Sequence, residues 1–230
     1  MAVFRFLIAL GLLIQVSVVH AQDLPSEVGQ WGALQQLAWR PVHSVMLPTG
    51  KVMIYRNGVE PLLWDPGTGD LSPAPLFGYN AFCNAQVLTA DGRVFFAGGT
   101  VVNNVGVVNS DYYDPVTNSL SPGPDMYAGR YYPSMVVLGN GDVVILSGNI
   151  NVGVPNDLPE VWEADSGTWR ILSNASQILP TYPAAFLAPN GWVFVAMSTS
   201  RYLDTSGAGE WTTVASQQEL RDSYGSAVMY

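Results

Sequence analysis

The chain has 230 residues and is acidic, with 9 Lys and Arg against 18 Asp and Glu and a formal net charge of −9. Nucleic acids and anionic membranes require clustered basic side chains, so this balance argues against both as partners. The length allows one large domain or two small ones, each with a substantial core.

The first 21 residues have the three-part pattern of a secretory signal peptide. One positive charge, Arg5, precedes the apolar run FLIALGLLIQVSVV, and VHA then ends at Ala21 with small residues at the −3 and −1 positions. The apolar run is too short to span a bilayer comfortably, and it lacks the amphipathic pattern of a buried helix. We therefore expect cleavage after residue 21, a lead-in over residues 22–40, and a secreted or periplasmic chain with no membrane span.

Four tight turns repeat along the rest of the chain. Short runs rich in Val, Ile and Phe alternate with Gly, Asn, Asp and Pro turns, which indicates an all-β fold. Each turn needs a positive φ at its glycine, and the spacings between these glycines are 42, 49 and 50 residues. The four glycines are Gly50, Gly92, Gly141 and Gly191.

A second feature repeats in step with these turns. An aromatic strand followed by an acidic turn comes after each of them, at residues 64–69, 111–118, 160–169 and 201–211. Four-stranded units of 40–50 residues are typical of β-propeller blades, with the kelch type near 50, whereas a β-sandwich does not predict two features that move together. We therefore predict an all-β propeller, with blades near residues 41–75, 83–125, 132–172 and 182–214.

A fifth unit begins at Tyr224 with the motif YGSAVMY, over residues 224–230. Propellers close with four to eight blades, and a blade needs neighbours on both faces. We therefore expect this sequence to be the N-terminal part of a longer protein.

The register of the repeat brings particular residues together. Nine residues before the turn glycines stand Pro41, Cys83, Tyr132 and Tyr182, and Tyr224 matches by its local pattern. The first strand of a propeller blade is the innermost, so equivalent strand starts face one another around the axis. The register predicts that Cys83 and Tyr132 are neighbours and that Tyr182 and Tyr224 continue the rim.

Cys83 is the only cysteine of the chain. Exported chains usually pair their cysteines, so a lone thiol is unusual. Beside a phenol and a redox metal, a thiol can be joined to the phenol ring, and a phenolate oxygen suits Cu(II) alongside imidazole. The alternative is that the cysteine and the Tyr-Pro pairs only pack at the strand starts, where proline is tolerated.

Two segments resemble the galactose oxidase and glyoxal oxidase family of copper radical oxidases. They are AFCNAQVLTADGRVFFAGG at residues 81–99 and GPDMYAGRYYPSMVVLGNGDVVILSG at residues 123–148. The resemblance implies a seven-bladed propeller of the kelch and galactose oxidase type, of which about four blades are present. It also implies a thioether between Cys83 and Tyr132, with Tyr132 as the radical-bearing copper ligand.

The chemistry implied by this resemblance is oxidation of a primary alcohol or aldehyde by O2, which yields H2O2. The partners would be O2 and a small alcohol, aldehyde or carbohydrate. The family's axial tyrosine and two histidine ligands would lie beyond residue 230, so this chain alone would be inactive. His43 is interpreted as a packed or rim histidine on an inner strand of the first blade. The alternative function is a non-catalytic kelch-like propeller module that binds carbohydrate or protein.

Other positions indicate which branch of the family the sequence resembles more. Tyr131 fills the aromatic position of a glyoxal-oxidase-like Arg-Trp-Tyr-Pro pattern, and Pro183 follows Tyr182, which favours the glyoxal oxidase side. The aromatic side chain that covers the thioether in galactose oxidase would fall near Ile150 and Asn151, neither of which is aromatic. The substrate-binding arginine of galactose oxidase would align with Pro183, so galactose is a doubtful substrate.

Overall fold

A computed structural model describes residues 29–57, 60–216 and 227–229. The predicted signal peptide and Tyr224, the predicted start of a fifth blade, lie outside these residues. Residues 1–38 and 39–230 form two separate units, and the fold below belongs to the second. The described part of the chain has no helix that could cross a membrane.

Short β-strands make up the regular structure of the second unit, which confirms the all-β prediction. In chain order they are β1 (His43–Met46), β2 (Val52–Tyr55), β3 (Leu62–Trp64), β4 (Leu71–Pro73), β5 (Ala85–Leu88), β6 (Val94–Ala97), β7 (Thr100–Val102), β8 (Val105–Gly106), β9 (Ser110–Asp114), β10 (Ser119–Pro122), β11 (Ser134–Val137), β12 (Val143–Leu146), β13 (Asn149–Asn151), β14 (Val154–Pro155), β15 (Glu160–Glu163), β16 (Thr168–Ile171), β17 (Ala184–Leu187), β18 (Val193–Ala196), β19 (Thr199–Asp204) and β20 (Glu210–Ser216).

These strands form four-stranded sheets with one repeated topology. The strand orders are β1-β2-β3-β4, β5-β6-β9-β10, β11-β12-β15-β16 and β17-β18-β19-β20, and the sheet pairs are antiparallel. The second and third sheets each carry an extra hairpin, β7-β8 and β13-β14, between their second and third long strands. The first strand β11 lies beside both β5 and β17, so these first strands are neighbours, as in a propeller-like fold.

The four repeated glycines have the backbone that the sequence predicts. Their φ angles are 82° at Gly50, 84° at Gly92, 91° at Gly141 and 84° at Gly191. Each glycine N–H donates to the carbonyl three residues earlier, at 2.9, 2.9, 3.0 and 2.9 Å respectively. The same turn therefore joins the first two strands of every sheet.

Hydrophobic clusters fill the spaces between successive sheets. On β6, Phe96 packs into the cluster shared with the first sheet, and Phe95 packs into the cluster shared with the third. Neighbouring residues of a strand point to opposite faces, so both faces of this sheet are covered. The second strands are accordingly apolar without alternation, as in VFFA and VVIL, and all eight of these residues are buried.

Gly106 lies at a close approach between two backbones. A Cβ atom added there would collide with the backbone nitrogen of Arg130 and the carbonyl oxygen of Asn149. Because both colliding atoms belong to backbone, neither can move aside without shifting a strand. We expect Gly106→Ala to destabilise the protein by about 1–3 kcal/mol, the usual cost of overpacking.

The control for this prediction is Gly139→Ala. No atom would lie within 4 Å of an added Cβ at Gly139. Its effect on the free energy of unfolding is expected to stay within about 0.5 kcal/mol, as at other open surface positions. Urea unfolding followed by tryptophan fluorescence measures the free energy of unfolding of both variants. Equal changes would contradict the prediction that the close approach at Gly106 excludes a Cβ atom.

Candidate functional site

Three residues at strand starts share an unusual backbone conformation. Cys83, Tyr132 and Tyr182 precede β5, β11 and β17 and have φ angles of 59°, 68° and 50°. Left-handed φ is uncommon for residues other than glycine. Pro41 holds the corresponding position in the first sheet, but its ring fixes φ at a negative value. The first sheet therefore departs from the pattern that the other three share.

Backbone hydrogen bonds join these strand-start residues in series. The Tyr132 N–H donates to the Cys83 carbonyl at 3.0 Å, and the Tyr182 N–H donates to the Tyr132 carbonyl at 2.9 Å. The structure thus brings together the three described residues that the repeat register predicts to be neighbours.

Three phenols affect the pKa of the Cys83 thiol. The thiol is buried, and it interacts with Tyr132, Tyr182 and Tyr131. Burial raises the pKa of the Cys83 thiol, and hydrogen bonds to the phenols partly oppose that rise. The Tyr132 ring centroid lies 4.0 Å from that of Tyr131 and 5.0 Å from that of Tyr182. A buried thiol close to phenol rings can form a bond between its sulfur and a ring carbon.

Tyr131 is fully buried and packs against Tyr132. The sequence indicates an aromatic position here but not this packing. The two hydroxyls are 3.2 Å apart, and the Tyr131 hydroxyl also lies 3.1 Å from Oδ1 of Asn103 at the tip of the β7-β8 hairpin. Burial raises the pKa of Tyr131, and the neighbouring Tyr132 and Cys83 raise it further, so Tyr131 stays protonated. Ile150, where the sequence comparison places a covering aromatic residue, lies in β13 and supplies none.

His43 is packed, as predicted, and it contacts the backbone of the cysteine. It is 8% exposed, and its ring stacks on Tyr55 with centroids 4.7 Å apart. Its Nε2 accepts a hydrogen bond from the Cys83 N–H at 3.0 Å. Burial lowers the pKa of His43 to about 4, which keeps the imidazole neutral and able to accept.

An open cavity of about 590 Å³ adjoins this cluster. Its walls come from the first strands and strand starts of all four sheets, and they include His43, Cys83, Gln86, Tyr182 and Pro183. A small molecule that entered the cavity would therefore lie next to residue Cys83.

Behind the site, Arg130 and Glu160 form a fully buried ion pair at 2.8 Å, with side chains 0% and 2% exposed. The guanidinium also donates to the carbonyls of Ser147 and Leu158, and Glu160 accepts the Tyr127 N–H. Burial lowers the pKa of Arg130, and the charge of Glu160 opposes that shift. The pair fixes the backbone immediately before Tyr131 and Tyr132.

The donors present match one part of a copper site. Tyr132 offers a phenol oxygen beside a thiol, but the described residues contain no group of three or more His, Cys, Asp or Glu that could hold a metal. The sequence has two histidines, His20 and His43, and Nε2 of His43 is engaged by the Cys83 N–H. Among the described residues, therefore, no histidine beside this cluster has Nε2 available for copper.

No protein family model matches the sequence. Two curated sequences of galactose oxidase, from Gibberella zeae and from its strain PH-1, are each 29% identical to it in an alignment 238 positions long, which covers 88% of this chain and 34% of the relative. The chain thus spans about a third of the length of these relatives.

A solved structure shares the fold. It is a fungal alcohol oxidase of the AA5 family in complex with copper, with a TM-score of 0.72 and 21% identity, and the match covers 85% of this chain and 45% of that one. The resemblance to galactose oxidase that the sequence indicates is therefore confirmed over most of this chain, and the solved structure shows the same fold.

Proposed function

We propose that this chain supplies the cysteine–tyrosine part of the copper site in a longer, exported oxidase. That enzyme would oxidise a primary alcohol or aldehyde with O2 and release H2O2. The observation that carries the proposal is the buried Cys83 thiol at the strand start next to that of Tyr132, with a hydrogen bond between their backbones. The names of the similar proteins, galactose oxidase and a copper-bound alcohol oxidase, support the same chemistry.

The first step would be formation of the thioether. The Cys83 S–H and one ring C–H of Tyr132 are lost and an S–C bond forms, while two electrons and two protons pass to O2 and give H2O2. The Tyr132 oxygen would then hold copper, which when bound supplies one-electron redox chemistry beside the modified phenol. Tyr131 and Tyr182 stay protonated because burial raises the pKa of each phenol.

The copper site would need ligands from further along the longer protein. Two imidazoles and an axial tyrosine are implied by the family resemblance, and this sequence has one histidine after the signal peptide, His43. The chain alone would therefore be inactive. Tyr131 and Pro183 favour a substrate closer to that of glyoxal oxidases than to galactose. We retain as proposals the signal peptide at 1–21, the blades at 41–75, 83–125, 132–172 and 182–214, and a seven-bladed kelch-like ring.

The proposal is tested on the full-length protein that contains this sequence, exported and loaded with copper in air. We expect its intact mass to be about two hydrogens below the value calculated from the sequence and Cys83 to resist alkylation. We also expect a primary alcohol to give aldehyde and H2O2 in equal amounts. The control is Cys83→Ser, which should show no mass deficit. A freely alkylated Cys83 in the copper-loaded protein would favour the binding-module alternative.

A further inference from the structure

The backbone of Cys83 and Asn84 is held from several sheets at once. The Cys83 carbonyl accepts the N–H of Tyr132 in the third sheet at 3.0 Å, and the Asn84 carbonyl faces the hydroxyl of Tyr182 at 3.5 Å. The Cys83 N–H donates to His43 of the first sheet. Since Cys83 has left-handed φ, its position depends on these contacts rather than on an intrinsic backbone preference.

The first sheet provides a paired support for this segment. His43 on β1 and Tyr55 on β2 are directly opposite in the strand register, and their rings stack at an angle of 15°. Both side chains are buried, at 8% and 0% exposure. The stack fixes the imidazole plane, which directs Nε2 at the Cys83 N–H.

Tyr55 also reaches the next residue of the segment. Its hydroxyl lies 2.8 Å from Oδ1 of Asn84 and 2.8 Å from Oε1 of Gln86. Both of these atoms are amide oxygens, which accept, and the single phenol proton is donated to one of them at a time. The hydroxyl therefore provides a partner for the Asn84 side chain, which is 1% exposed.

We propose that His43 is a positioning residue, supported by Tyr55, which holds the Cys83 backbone so that its sulfur couples to Tyr132 and not to another phenol. The rings of Tyr131 and Tyr182 lie with their centroids 4.0 and 5.0 Å from that of Tyr132, so the position of Cys83 must select one phenol among neighbours. The neutral state of His43 agrees with its role as an acceptor. This inference rests on the proposed thioether.

The test compares two substitutions of His43 in the full-length protein. His43→Phe keeps a ring against Tyr55 but removes the acceptor, and His43→Gln restores an acceptor. Metal-free protein is mixed with copper and O2, intact mass follows the loss of two hydrogens, and peptide mapping identifies the coupled phenol. We expect His43→Phe to slow coupling about tenfold, as for the loss of one hydrogen bond of about 1.4 kcal/mol. Part of its cross-link should move to Tyr131 or Tyr182.

Recovery of coupling in His43→Gln distinguishes a loss of Cys83 positioning from a general disturbance of the fold. His43→Gln should couple within about threefold of wild type and only at Tyr132. His43→Phe that couples at the wild-type rate and site would overturn the inference, while wild-type protein that never couples would overturn the proposed function instead. If His43→Phe does not fold, Tyr55→Phe decides, because it keeps the stacked ring and loses the hydroxyl to Asn84. If Tyr55→Phe then couples at the wild-type rate and only at Tyr132, the proposal that His43 and Tyr55 together position Cys83 is wrong.

Discussion

Arg130→Met is expected to destabilise the protein by about 3–5 kcal/mol, the usual cost of leaving a buried charge without its partner. Glu160 would keep the hydrogen bond from the Tyr127 N–H but lose the guanidinium, and its side chain is 2% exposed. The carbonyls of Ser147 and Leu158 would lose a donor as well. Urea unfolding of the full-length protein, followed by tryptophan fluorescence, measures the change.

Arg93→Met is the matched control for the loss of an arginine. Arg93 pairs with Asp91 at 2.7 Å, but these side chains are 40% and 50% exposed. Water screens such a pair, so the expected loss stays within about 1 kcal/mol. The double variant Arg130→Met with Glu160→Leu should recover much of the stability, because no unpaired charge then remains. Equal losses for Arg130→Met and Arg93→Met would contradict the buried-pair account.

The parts of the fold that repeat could be predicted from the sequence. Gly50, Gly92, Gly141 and Gly191 mark one turn type at a regular spacing, and counting back from them identifies Cys83, Tyr132 and Tyr182. The count works because each sheet has the same length from strand start to turn. In the structure, Cys83, Tyr132 and Tyr182 share a left-handed φ, so the positions that the count identifies as equivalent also have the same backbone conformation.

The parts that do not repeat could not be predicted. Glu160 lies 30 residues after Arg130, and the other sheets show no such pair among their described residues, so nothing in the repeat assigns it as the partner. The sequence predicts a packed His43 but not its acceptor role, because its partner is the backbone N–H of Cys83 and carries no side-chain signature. Asn103 reaches Tyr131 from the β7-β8 hairpin, an insertion that the described residues of the first sheet do not show.

Catalysis and the cross-link are both expected to disappear in Tyr132→Phe. The phenylalanine ring has no oxygen to bind copper and is not oxidised at a phenol, so the full-length variant should keep its calculated mass and an alkylatable Cys83. Its oxidase activity should fall to the background of a metal-free control. Tyr132 is singled out because its backbone N–H bonds directly to the Cys83 carbonyl and because its motif carries the family resemblance.

Tyr131→Phe and Tyr182→Phe are the matched controls, since each removes one hydroxyl from the same cluster. The Tyr131 hydroxyl is engaged with Asn103, and that of Tyr182 faces the Asn84 carbonyl, so each has a structural partner apart from the sulfur. Both variants should retain the loss of two hydrogens. A cross-link that survives in Tyr132→Phe but vanishes in Tyr131→Phe would reassign the modified residue.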